Sequence, residues 1–163
     1  MKKNTFFLVL LLNIFFGNIH AQIQVGDGTI NYYAPIDFRY DRSYSQVIYL
    51  GSEINGSGTI TSLAWYYNNI FETIPNHNID VYIGHTRKDN FTYTQQSGTK
   101  ADYEPLSNLT KVYSGRLVTN SSKGWKTIIL DTPFDYDGSS NLVVAVNSSF
   151  NGQIWPFSDP DRF

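Results

Sequence analysis

Four oxygen-bearing side chains crowd one short stretch of this chain: Asp131, Asp135, Asp137 and Asn141. Calcium takes clustered carboxylate and carbonyl oxygens. The spacing does not match an EF-hand loop, which needs a fixed ligand register, a Gly and a closing Glu. Asp137-Gly138 and Ser140-Asn141 are also ordinary turn residues, and turn chemistry accounts for every residue in the stretch. If calcium is held, Asp135 and Asp137 are the expected ligands. No other cofactor is expected.

Aromatic side chains are the second resource, at 16% of the chain. The apolar C–H face of a sugar ring packs on indole or phenol, whose polar edges hydrogen-bond. Trp65, Trp125 and Trp155, with Tyr66, Tyr67 and Tyr82, are the residues that could build such a platform. Trp65 stands in mid-strand and reads as core. Trp125 follows Gly124 at the start of a strand and reads as exposed, and Tyr82 alternates outward. Trp125 and Tyr82 are therefore the expected ligand contacts.

Catalytic patterns are missing. His77 and His85 are too few for a metal site of three or four ligands, since the chain has no Cys. They read as satisfied or surface histidines. No Gly-x-Ser-x-Gly elbow occurs. Glycoside hydrolysis needs two carboxylates across a cleft, and Glu53, Glu72 and Glu104 read as solvated residues in loops or at strand ends. The expected activity is none.

Compartment follows from the N-terminus. Lys2 and Lys3 precede an apolar run over residues 6–16, and Ile19-His20-Ala21 is a cleavage pattern. Residues 1–21 read as a signal peptide cut after Ala21, and the product as secreted or on the cell surface. The run is too short to span a bilayer, and no membrane insertion is expected after cleavage. Net charge is −2 with no basic stripe, which argues against nucleic acid. The remaining residues, 22–163, are enough for one domain that buries about two thirds of its unfolded surface without disulfides.

The elements that must position these residues are strands. Residues 22–44 read as irregular and 45–50 as a strand. Asn55-Gly56 is a tight-turn signal. Residues 59–67 form the clearest strand, with Ile60, Ala64 and Tyr66 on one side and Leu63, Trp65 and Tyr67 on the other, as in a central strand. Residues 70–78 read as a loop. Residues 79–83 alternate, with Ile79, Val81 and Ile83 inward and Asp80 and Tyr82 outward. Residues 87–108 are polar and unpatterned, with a helical turn at 105–109. Strands resume at 111–114 and 125–130, and residues 131–141 read as a turn region. The apolar run 142–146 reads as a central strand, Asn151-Gly152 as a turn, and 153–157 as a last strand broken by Pro156. Short strands between regular turn signals predict an all-β fold, an antiparallel two-sheet β-sandwich of jelly-roll type. Because the chain stops soon after a strand begins, we expect a truncated product or a piece of a longer protein.

Several blocks carry a family resemblance. They are Tyr44-Ser-Gln-Val-Ile-Tyr-Leu with Ser52-Glu-Ile, Gly58-Thr-Ile-Thr-Ser-Leu-Ala-Trp-Tyr-Tyr-Asn, and Val81-Tyr-Ile-Gly-His-Thr-Arg-Lys. Leu109-Thr-Lys-Val-Tyr-Ser-Gly, Gly124-Trp-Lys-Thr-Ile-Ile-Leu-Asp-Thr-Pro-Phe-Asp-Tyr-Asp-Gly and Ser140-Asn-Leu-Val-Val-Ala-Val complete the set. In this order they resemble a β-sandwich module of exported Bacteroidetes surface proteins, which are often type IX secretion cargo. The resemblance implies a jelly-roll-like fold and an extracellular setting, and it implies no activity. The expected function is a non-catalytic binding module, adhesin-like or carbohydrate-binding, whose partner is a glycan or a cell-surface protein. It would bind through loops at one end of the sandwich. The alternative is an accessory or spacer domain of a larger secreted hydrolase.

Overall fold

A computed structural model describes residues 22–26, 34–37, 40–67, 77–94, 100–118 and 123–149. The order of elements is β1 (Arg42–Tyr49), α1 (Gly51–Ile54), β2 (Gly58–Tyr67), β3 (His77–Thr86), β4 (Tyr93–Thr94) and β5 (Lys100–Ala101). A 3-10 turn at Leu106–Asn108 follows, then β6 (Thr110–Leu117), β7 (Gly124–Tyr136) and β8 (Asn141–Ser149). The four-stranded sheet runs β1-β8-β3-β6, and β2 pairs with β7 in a second sheet. All the pairings are antiparallel. The chain changes sheets between β1 and β2, β2 and β3, β6 and β7, and β7 and β8, which makes an all-β two-sheet sandwich.

Alternation builds the core. Ile79, Val81 and Ile83 are fully buried, with Val112 from β6 and Val144 and Val146 from β8 beside them. Ile128, Leu130 and Tyr136 of β7 close the core from the other sheet, and Ile60, Leu63, Trp65 and Phe134 pack around its rim. Each fully buried Ile or Val contributes roughly 1.5–3 kcal/mol over an exposed one.

The side assignment on β2 needs correction. Ile60 shares the core face with Leu63, Trp65 and Tyr67, because the register slips between Ile60 and Ser62. Ile60 faces Phe134 and Ser62 faces Ile129, so Leu130, Asp131, Thr132 and Pro133 stand opposite Thr61 alone. A bulge moves every later side chain to the other face. Pro133 marks the place, since it has no N–H for a ladder. At the bulge β7 leans toward β6, and the Ser114 N–H donates to Asp131 Oδ2 at 2.9 Å. Among the described residues β2 has β7 as its sheet neighbour and no other, so it is not flanked on both sides.

Other readings differ from the structure too, and β1 begins at Arg42, within the span read as irregular. β7 runs on through Tyr136, so the turn region shrinks to residues 137–140. β3 begins at His77, within the span read as loop. Asn55 does take the left-handed conformation, at φ 46°, but as the C-cap of α1 and not within a hairpin. β1 and β2 belong to different sheets, so no hairpin joins them. The helical turn near 105–109 is present as the 3-10 turn. β8, read as central, lies between β1 and β3.

Candidate functional site

Tyr82 and Trp125, the two expected ligand contacts, lie on the outer faces of different sheets and so cannot share one surface. Tyr82 is half-buried on β3, with Lys111 Nζ 5.5 Å from its ring centre. Burial pushes its hydroxyl pKa up. Its neighbour Asp80 faces outward from the core, yet it is only 3% exposed. Asp80 Oδ2 accepts from Lys111 Nζ at 2.8 Å and Oδ1 from the Ser114 hydroxyl at 2.6 Å. The hydrogen bond to Asp80 is the main cause that raises the Lys111 pKa. Outward on this sheet does not mean solvated.

The reason is a cover. The stretch that follows β5 returns over the outer face before entering β6. The Gln46 amide donates to the Glu104 carbonyl at 2.8 Å and accepts from the Glu104 N–H at 2.9 Å. Tyr103 packs edge-on against Tyr44, at 5.7 Å, and against Phe91, at 5.0 Å. A Cβ on Gly84 would meet Leu109 Cδ2 at 2.5 Å and the Asn108 carbonyl at 3.1 Å, so only Gly admits the chain this close. Val143 and Ala145, which alternate away from the core cluster, are wholly buried on this side.

Where the cover meets the end of the sandwich, a cleft of about 430 Å³ opens, lined by His85, Thr86, Arg87, Lys88, Glu104 and Ser140. Glu104 is not the solvated residue expected: its side chain is 14% exposed, and Oε1 accepts from the Thr86 hydroxyl at 2.5 Å. Lys88 Nζ lies 3.9 Å from Glu104 Oε1 and 3.5 Å from Asp102 Oδ2, and it donates to the Asp102 carbonyl. The Thr92 N–H holds the Asp102 carboxyl below the usual range. Asn141 ties the rim together, accepting from the Gly51 N–H at 2.8 Å and donating to the Lys88 carbonyl and to Asp89 Oδ1.

His85 sits on the wall of this end. Its ring stacks on Tyr136 at 5.8 Å and tilts against Phe134 at 5.0 Å. Its Nε2 accepts from the Asp137 N–H at 3.3 Å. Asp137 closes the turn from β7 to β8, with Oδ1 accepting the Ser139 and Ser140 N–H groups and Oδ2 the Ser140 hydroxyl. These backbone donors hold its carboxyl well below the usual range. Gly138, at φ +76°, makes the reversal possible. Asp135 lies on β7 and accepts from the Thr59 hydroxyl at 2.6 Å. The two expected calcium ligands are thus each engaged by neighbours, and no three His, Cys, Asp or Glu side chains converge among the described residues.

The second region is the outer face of the two-stranded sheet. Tyr66 and Trp125 are cross-strand partners, edge-to-face at 5.5 Å and 79°. Tyr66 is 50% exposed, Trp125 47% and Ile129, two pairs along, 70%. Trp65, on the opposite side, packs on the core as its mid-strand position implied. Sequence reasoning found Trp125 from its Gly neighbour. It missed Ile129, whose outward aim follows from alternation with Ile128 and Leu130, and it missed the lining role of Arg87, Lys88 and Glu104. Trp155, Glu72, the 153–157 strand and the signal segment lie outside the described residues.

No protein-family model, curated protein or solved structure matches the chain.

Proposed function

We propose that this chain is a non-catalytic binding module of a secreted or cell-surface protein, with a carbohydrate as its ligand. The observation that carries this reading is the exposed Tyr66–Trp125 pair on an otherwise settled sheet. Neither ring is needed by the core, and an aromatic pair left in water on a rigid strand frame is a ready surface for the apolar side of a sugar. Thr127 and Ser62, on the same face, supply hydroxyls at its margin. The signal-like N-terminus and the resemblance to exported modules support the extracellular setting.

The rings stand nearly perpendicular, so both cannot lie flat on one planar sugar ribbon. Single rings of a soluble glycan are the fitting targets. Trp125→Ala tests this. Tryptophan fluorescence titrations against a panel of soluble oligosaccharides should show binding by the parent chain. The variant should lose about tenfold or more in affinity while its melting temperature stays close to that of the parent. A panel that yields no binder, or a variant that binds as the parent does, removes the proposal.

A further inference from the structure

We infer that the end cleft is a second binding site, separate from the aromatic pair, and that it takes a small carboxylate bearing a neighbouring hydroxyl group. The cleft, about 430 Å³, is open to solvent, so it suits a small ligand held at the surface by a few polar groups. Its charges are unequally satisfied. Asp137 is held by two backbone N–H groups and a hydroxyl, Asp102 by the Thr92 N–H and Lys88, Asp89 by Asn141, and Glu104 by Thr86 and Lys88. Lys88 is in turn occupied by Asp102 and Glu104. Arg87 lines the same cleft, is exposed, and has no hydrogen-bond or ion-pair partner among the described residues. Arg87 is therefore the charged group of the cleft left without a partner, and its planar fork suits a carboxylate.

His85 lines the same cleft, and its Nε2 accepts from the Asp137 N–H at 3.3 Å and lies 3.8 Å from Asp137 Oδ2. Glu104 adds an acceptor. Its Oε1 is occupied, and Oε2 remains for a hydroxyl. A ligand that offers an anion to Arg87 and a hydroxyl to Glu104 satisfies both. A cation would meet unopposed Arg87, and a second anionic group would meet Glu104. An α-hydroxy acid and an acidic sugar share the required chemistry.

The experiment uses the full chain, labelled with nitrogen-15, titrated with D-glucuronate, glycerate, acetate and D-glucose. Glucuronate and glycerate should shift the amide resonances of residues 85–88 and 104, and the shifts should weaken with added salt. Acetate should bind more weakly and glucose should leave these resonances in place. A preference for glucuronate over glycerate assigns the site to an acidic sugar, and equal binding assigns it to a simple hydroxy acid. Arg87→Ala should weaken binding about tenfold or more, the usual reach of a charge-assisted hydrogen bond, and Arg87→Lys should retain part of it. Trp125→Ala should change nothing here, so this site and the aromatic one stand or fall separately. The inference is overturned if neither hydroxy acid binds at tens of millimolar, if glucose or acetate binds as well as glucuronate, or if Arg87→Ala binds as the parent does.

Discussion

On the four-stranded sheet, side chains on both faces are out of water: Ile79, Val81 and Ile83 toward the core, and Asp80, Val143 and Ala145 on the far side. On the two-stranded sheet, Ile128 and Leu130 are buried while Ile129 and Trp125, which alternate with them, are in solvent. The inner strands β8 and β3 of one sheet are largely covered on both faces, and the other sheet is an outer wall. The difference teaches where tolerance lies. A strand covered twice is constrained at every residue, as in sheets packed on both faces, whereas a strand covered once leaves every second position open to serve a ligand.

This contrast is open to direct attack. Ile83→Ala should cost about 3 kcal/mol through lost burial and a residual cavity, whereas Ile129→Ala should cost less than about 0.5 kcal/mol. Urea denaturation of both variants decides the matter, and comparable losses would erase the distinction. Lys111→Met leaves Asp80 with Ser114 as its remaining partner. It should cost about 2 kcal/mol, less than the usual 3–5 for a wholly buried pair, because the lysine itself is half in water. A neutral result would show that Asp80 is solvated after all.

Gln46→Ala strips the Glu104 N–H and carbonyl of their side-chain partner. About 1 kcal/mol is the expected loss, together with faster hydrogen exchange at 103–105. Unchanged exchange there would mean that the cover is held by its aromatic contacts alone. The smallest effect concerns the turn between β7 and β8. The Asp137 pKa is lower in the fold than the unfolded value of about 3.9, so its contribution is present above about pH 4 and is lost as pH falls through the folded value. Asp137→Ala should therefore melt earlier than the parent at pH 7, with the gap narrowing as pH drops below about 4. A gap that ignores pH would assign the turn's stability to something other than this carboxylate.

Much of the frame is legible in the amino acids. Strict alternation at 79–83 and the unbroken apolar run at 142–146 identify the two inner strands, because burial on one or two faces writes itself directly into side-chain type. The rest depends on partners far away in the chain. Asp80 looks like a solvent-facing residue until Lys111 and the cover are placed around it. Ile60 changes face because of a bulge in the pairing of β2 with β7, with Pro133 as its one local sign. Asp135 has the composition of a turn but extends a strand, since Thr59 of β2 supplies the pairing that turn propensity cannot foresee, while Asp131 stands in the bulge and is taken up by the Ser114 N–H. The cleft was the least legible part. Arg87, Lys88 and Glu104 are ordinary surface types, and only the return of the chain over β3 brings them together.

The amide of Gln46 grips position 104 by its main chain alone. That grip is blind to identity: any residue except proline, which lacks the N–H, would be fastened equally well. The side chain at 104, which Gln46 does not hold, meets Thr86 and Lys88 instead, so an exchange there would alter the adjoining recess while the main-chain grip on the cover persists.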